Sequence, residues 1–184
     1  LIIDHLFIYF IDDDLDFNIK LVEGEKILDL REEFDRDYKE KIKMFDISLE
    51  DERKKINKFT VKYYMSDSYK RNSVIFTAHK RAVRSFFLHD YSEDLKSKFD
   101  QGFLKCFVSG EYFDENVNDT RTDFTFPYSG NSIYLTSEDI ALKLIDKLKE
   151  EYEDYFTKER EKREEVIKKF LKENPACKHI YGHY

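Results

Sequence analysis

The apolar pattern of this sequence changes period at Thr136, and that change restricts the chain to a mixed architecture. Before it, apolar residues alternate or gather in short runs. After it they recur at helical spacing. Lys58-Phe59-Thr60-Val61-Lys62-Tyr63-Tyr64 is the clearest strand, built from β-branched and aromatic residues. Ile42 to Ile47, Ser73 to His79, Val83 to Leu88 and Phe103 to Ser109 share that character. The stretch from Phe17 to Leu30, with Glu23-Gly24-Glu25-Lys26 at its centre, predicts a β-hairpin.

Helix signals frame this strand-rich region. The first eleven residues fit a helix that Asp12-Asp13-Asp14 breaks. Arg31 to Lys41 reads as a loop or a short helix, and Ser92 to Phe99 has the spacing of a short helix ended by Gly102. Thr136-Ser137-Glu138-Asp139 has the form of a capping box. Ile140, Leu144, Ile145, Leu148, Tyr152, Tyr155 and Phe156 follow at helical spacing, then Val166, Ile167, Phe170 and Leu171, until Asn174-Pro175. One long helix and a helix pair both fit. The expected fold class is therefore α/β (α+β), a mixed sheet with helices followed by a C-terminal helical segment.

Bulk properties narrow the function classes. The chain has 184 residues and a formal net charge of −7, which argues against a surface that binds nucleic acid everywhere. Cys106 and Cys177 do not make a disulfide framework, and a reduced, cytoplasmic setting fits them. No segment approaches the run of about 18 apolar residues that a membrane span requires. The chain starts inside an apolar run without methionine and stops on Ile180-Tyr181-Gly182-His183-Tyr184. Both ends are accordingly read as truncated.

No glycine-rich phosphate loop, GxSxG elbow or HExxH motif occurs, so a complete catalytic set is not expected. Cys177, His179 and His183 lie within seven residues, but without a fourth ligand they read as a packing tract, and no metal site is assigned. His79-Lys80-Arg81-Ala82-Val83-Arg84 is a compact basic cluster. Lys80, Arg81 and Arg84 are its nucleic-acid candidates, against the alternative of a solvated turn. In Phe113 to Phe124, Arg121 stands between two threonines. Its forked donors suit phosphate oxygens, whereas pairing with Asp114, Asp119 or Asp123 would leave it a surface ion pair.

Asp114-Glu115-Asn116-Val117-Asn118-Asp119-Thr120-Arg121-Thr122-Asp123-Phe124 resembles the "DVNVHPxKxEVRF" element of MutL-type mismatch-repair proteins. These are GHKL ATPases, a group that includes gyrase B and the ninety-kilodalton heat-shock chaperone. Phe76-Thr77-Ala78-His79-Lys80-Arg81-Ala82-Val83, upstream and in the same order, resembles their "FVNGRxV" strand. The resemblance covers residues 59–126. It implies a transducer domain with the fold of ribosomal protein S5 domain 2, in a divergent bacterial branch. In the family a basic loop residue of this domain reaches the γ-phosphate held by the ATP-binding domain. Arg121 matches that position, keeping the charge of the family's lysine, and it is the implied catalytic residue. Arg121, Asn118 and Thr120 are the implied cofactor-binding residues.

The domain expectation follows from this resemblance. Residues 1–14 would end a linking helix from an N-terminal ATP-binding domain, 15–135 would be the transducer-like domain, 136–174 a helical segment and 175–184 a tail. ATP and magnesium are expected for the full-length protein and no cofactor for this piece alone. The ATP-binding domain of the same chain is the expected partner, and a homodimer of the full-length protein is allowed. Two readings compete with this one. They are a non-catalytic module that binds another protein through its helical face, and a nucleic-acid-binding module that uses the 79–84 cluster.

Overall fold

The computed structural model describes Leu6, residues 8–11 and residues 18–175. The Asp12-Asp13-Asp14 break and the Cys177-to-His183 tract lie outside them. The chain divides into two compact units, Leu1–Ile145 and Asp146–Tyr184.

In the first unit, residues 8–10 are helical. β1 (Lys20–Glu23) and β2 (Lys26–Asp29) pair as an antiparallel hairpin, with Val22 opposite Ile27 and Leu21 opposite Leu28. Asp29 then caps α1 (Leu30–Asp37), its carboxylate accepting the amides of Arg31 and Glu32. The hairpin was expected, and the charged stretch after it is a helix.

Five strands form the main sheet: β3 (Lys43–Glu50), β4 (Ile56–Ser66), β5 (Ser73–Ala78), β6 (Arg81–Phe87) and β7 (Phe103–Ser109). Their order is β3-β4-β7-β5-β6. β7, last in sequence, runs antiparallel to β4 and parallel to β5. The period of two sorts the side chains by face. Phe59, Val61 and Tyr63 of β4 share one face with Cys106 and Val108 of β7 and with Val74 and Phe76 of β5. Thr60, Lys62 and Tyr64 lie on the other face with Phe107. That face is covered by Ile8, Phe10 and Ile11 together with Leu30 and Phe34 of α1.

α2 (Glu111–Glu115) covers the first face: Phe113 stacks on Phe76 at 4.7 Å, and Phe59 meets Phe113 at 5.0 Å. It starts at Gly110, where a Cβ would lie 2.6 Å from the Lys58 carbonyl oxygen, so the chain crosses β4 there only as glycine.

The expected helix over Ser92 to Phe99 shrinks to one 3₁₀ turn at Glu93–Leu95. Buried Asn72 takes the carbonyls that a longer helix would need, donating to Leu95 O at 2.7 Å and Ser97 O at 2.9 Å. Its own oxygen accepts the Leu104 amide at 2.7 Å. The Phe99 amide turns instead to Gly102 O.

α3 (Ser137–Glu151) begins in the expected reciprocal cap. Asp139 accepts the Thr136 amide at 2.8 Å, and Thr136 Oγ1 accepts the Asp139 amide at 3.1 Å. Its first half, with Ile140, Ala141 and Leu144 buried, belongs to the first unit. The second unit holds the end of α3 and α4 (Glu153–Glu173), so the C-terminal segment is two helices meeting at Tyr152. On α4, Val166 and Phe170 are exposed. Among the described residues, no helix is long and apolar enough to cross a membrane.

Candidate functional site

Residues 116–125 form a narrow loop closed by its own backbone. Val117 and Phe124 make an isolated bridge, Asn118 N donates to Asp123 O at 2.9 Å, and Thr125 N donates to Asn116 O at 2.8 Å. At the tip, Arg121 N donates to Asn118 O at 2.8 Å, closing a turn.

Side chains then lock this turn from within. Asn118 Oδ1 accepts the amides of Thr122 at 2.9 Å and Asp123 at 3.3 Å, and the Thr120 hydroxyl at 3.2 Å. The hydroxyls of Thr120 and Thr122 bond each other at 2.9 Å. Asn118 acts as an Asx-type organiser, which is why an amide side chain suits the position. The polar atoms of Asn118 and Thr120 are therefore engaged in shaping the loop.

Arg121 sits at the apex with a positive φ of 55°. A bulky residue in the left-handed region is uncommon and strained, and the surrounding hydrogen bonds hold it there. Its side chain is exposed and meets no carboxylate among the described residues. The three aspartates that could have neutralised it do not. Asp114 accepts the His79 amide at 2.6 Å, Asp123 pairs with Arg84, and Asp119 is exposed.

The base of the loop is bolted to the sheet. Phe124 meets Phe113 at 5.0 Å and stacks on Phe126 at 4.8 Å. Arg84 of β6 lies over both rings at 5.3 Å and over Tyr128 at 5.5 Å. Its Nε donates to Asp123 Oδ1 at 3.0 Å, and Nη1 donates to the Ser137 hydroxyl. The Arg84 guanidinium beside Asp123 holds that carboxyl below the usual carboxylate range.

This geometry takes the basic cluster apart. Arg84, only 12% exposed, is an internal anchor and not a free phosphate contact. Arg81 is exposed at the start of β6. His79 and Lys80 form the two-residue connection between β5 and β6, at φ 47° and 63°. Two successive positive φ values are what a type I′ hairpin needs, usually from Asn-Gly, and neither residue here advertises it. The Arg84–Asp123 anchor escaped the sequence reading because the partners are thirty-nine residues apart.

No protein-family model, no curated protein and no solved structure matches this chain.

Proposed function

We propose that this chain is a transducer-like module of a GHKL-type ATPase, in which Arg121 meets the terminal phosphate of ATP held by a separate ATP-binding domain of the same polypeptide. The observation that carries the reading is the presentation of Arg121. It is an exposed guanidinium that meets no carboxylate among the described residues, at the tip of a loop in which the Asn118, Thr120 and Thr122 side chains hydrogen-bond one another. The hydrogen-bonded turn already fixes the backbone that carries this guanidinium, which lowers the ordering still required when an anion arrives.

The chemistry is electrostatic. A guanidinium against the γ-phosphoryl oxygens stabilises the charge that develops in phosphoryl transfer. Because ADP lacks that partner, the same contact would make the approach of the two domains depend on the nucleotide. Asn118 and Thr120 contribute by fixing the loop, so the expectation that they touch the cofactor narrows to positioning. Among the described residues no group of three His, Cys, Asp or Glu is placed to hold a metal ion. On this reading the separate ATP-binding domain would supply the residues that hold the magnesium accompanying ATP.

The test is ATP hydrolysis by the polypeptide that carries both domains. Arg121→Ala should lower turnover by about 10²-fold or more, the scale for one lost transition-state donor, with ATP affinity much less affected. Arg121→Lys, which keeps the charge but not the fork, should fall between. Unchanged hydrolysis by the alanine variant would reject the reading.

A further inference from the structure

The Arg84 guanidinium touches both ends of the segment that runs from the Arg121 loop to α3. At one end its Nε and Nη2 donate to Asp123 Oδ1, inside the loop. At the other its Nη1 donates to the hydroxyl of Ser137, the first residue of α3. Between them it lies over the rings of the alternate residues Phe124, Phe126 and Tyr128. We propose that Arg84 is a positioning residue, coupling the setting of the Arg121 loop to the first turn of α3, so that a displacement of α3 regulates the phosphate contact. The regulation rests on the reading of Arg121 given above, and the coupling stands without it.

On the loop side the connection is continuous. Asp123 Oδ1 also accepts the Phe124 amide at 2.8 Å, so the carboxylate that Arg84 grips is locked against the backbone beside it. The Asp123 carbonyl accepts the Asn118 amide at 2.9 Å, and the Asn118 carbonyl accepts the Arg121 amide at 2.8 Å. Asp123 and Asn118 thus link the enclosed guanidinium to the residue at the tip.

On the helix side the connection meets a buried group. Ser137 is fully buried, and a buried hydroxyl without a partner is costly. Arg84 supplies that partner. The backbone joins here as well: Ser137 N donates to Pro127 O at 3.2 Å, and Glu138 N donates to Tyr128 O at 2.9 Å. Both amides lie in the first turn of α3, where a helix has no carbonyl of its own to offer them. The start of α3 is therefore held by the same short run of chain that leaves the loop.

The side chain suits this double attachment. A planar fork reaches two acceptors while its face rests on rings, whereas a lysine ammonium is a single point charge. At 12% exposure, little water is at hand to replace a lost contact. An anchor for the loop alone needs only Asp123 and the rings. The donor committed to Ser137 is what makes the loop answer to the helix.

Two readouts test the proposal. Ser137→Ala removes one hydroxyl and leaves both backbone bonds, and it should shift the amide NMR signals of residues 118–123 in the labelled chain. The same substitution should leave those signals unmoved once Arg84 is replaced by lysine, or once Asp123 is replaced by alanine if Arg84→Lys does not fold. Signals that ignore Ser137→Ala, or that respond equally on those backgrounds, would overturn the coupling. The second readout is ATP hydrolysis by the polypeptide that carries both domains. Arg84→Lys should lower turnover about tenfold or more and change KM for ATP by less than about twofold, because a misplaced group costs rate before affinity. Ser137→Ala should act in the same sense by a smaller factor. On an Arg121→Ala background, neither substitution should change turnover by more than about twofold. Equal losses with and without Arg121 would show that Arg84 only supports the fold, and would overturn the positioning role. Arg121→Ala without effect of its own would reject the phosphate reading and the regulation with it, and the NMR comparison would then decide the coupling alone.

Discussion

Arg84, on β6, and Arg121, at the loop's tip, show how the same side chain serves opposite purposes around one loop. Arg84 is enclosed by three rings, a carboxylate and a hydroxyl, and it fixes where the loop leaves the sheet. Arg121, exposed at the loop's tip, meets no carboxylate among the described residues. The Arg84–Asp123 pair should also leave a trace in the pH dependence of stability. Asp123 has a lowered folded-state pKa, so its contribution is complete above the unfolded value of about 3.9 and is lost as pH falls through the lower folded value. Urea midpoints of the native chain and Asp123→Asn should differ by a constant amount above about pH 5 and converge towards pH 3. With Asp123 61% exposed, added salt should shrink the gap. A gap that widens in acid would contradict the pairing.

At the scale of elements, Asn72 decides more structure than any periodicity around it. It is buried, and all three of its amide hydrogen bonds go to backbone of the 95–104 segment. Asn72→Ala would leave two carbonyls and one amide without their partner, and should destabilise the fold by about 2–4 kcal/mol in chemical denaturation. A loss under about 0.5 kcal/mol would mean that water replaces the amide. The same residue explains an error of reading. Leu95 and Phe99 have helical spacing, but the carbonyls of 95 and 97 are claimed by a side chain more than twenty residues away. Elements governed by local rules were legible: the alternation of Lys58 to Tyr64, the Thr136–Asp139 box and the turn at Gly24. The His79-Lys80 turn was not, because its two positive φ values occur without the usual turn-forming residues, and the carboxylate that accepts the His79 amide, Asp114, lies far along the chain. For the candidate loop, Arg121 was visible as a type and a position. That it meets no carboxylate among the described residues was not, since that depends on where Asp114 and Asp123 find partners.

The first unit as a whole has a graded stability that follows its topology. β4 and β7 are flanked on both edges and carry buried residues such as Val61, Tyr63, Leu104 and Val108. The β1–β2 hairpin has only two strands and leaves Val22 69% and Ile27 66% exposed. Two strands alone are marginal in water, so native-state hydrogen exchange should be slowest in β4 and β7 and fast in β1 and β2. Protection in the hairpin equal to that of β4 would show that it is held by contacts of another kind.

The place of β7 carries a consequence for how the polypeptide comes into being. Residues 43–66 and 73–87 can each form a hairpin as soon as they are synthesised, because their pairings are local. The two ribbons share no hydrogen-bonded edge until Phe103–Ser109 arrives and is inserted between them. Until that moment the growing chain carries two unsatisfied strand edges lined by β4 and β5, the kind of surface that recruits other chains. The final strand acts as a closing key: a chain that ends before residue 103 leaves both edges open, and one that includes Phe103–Ser109 has the strand that joins them.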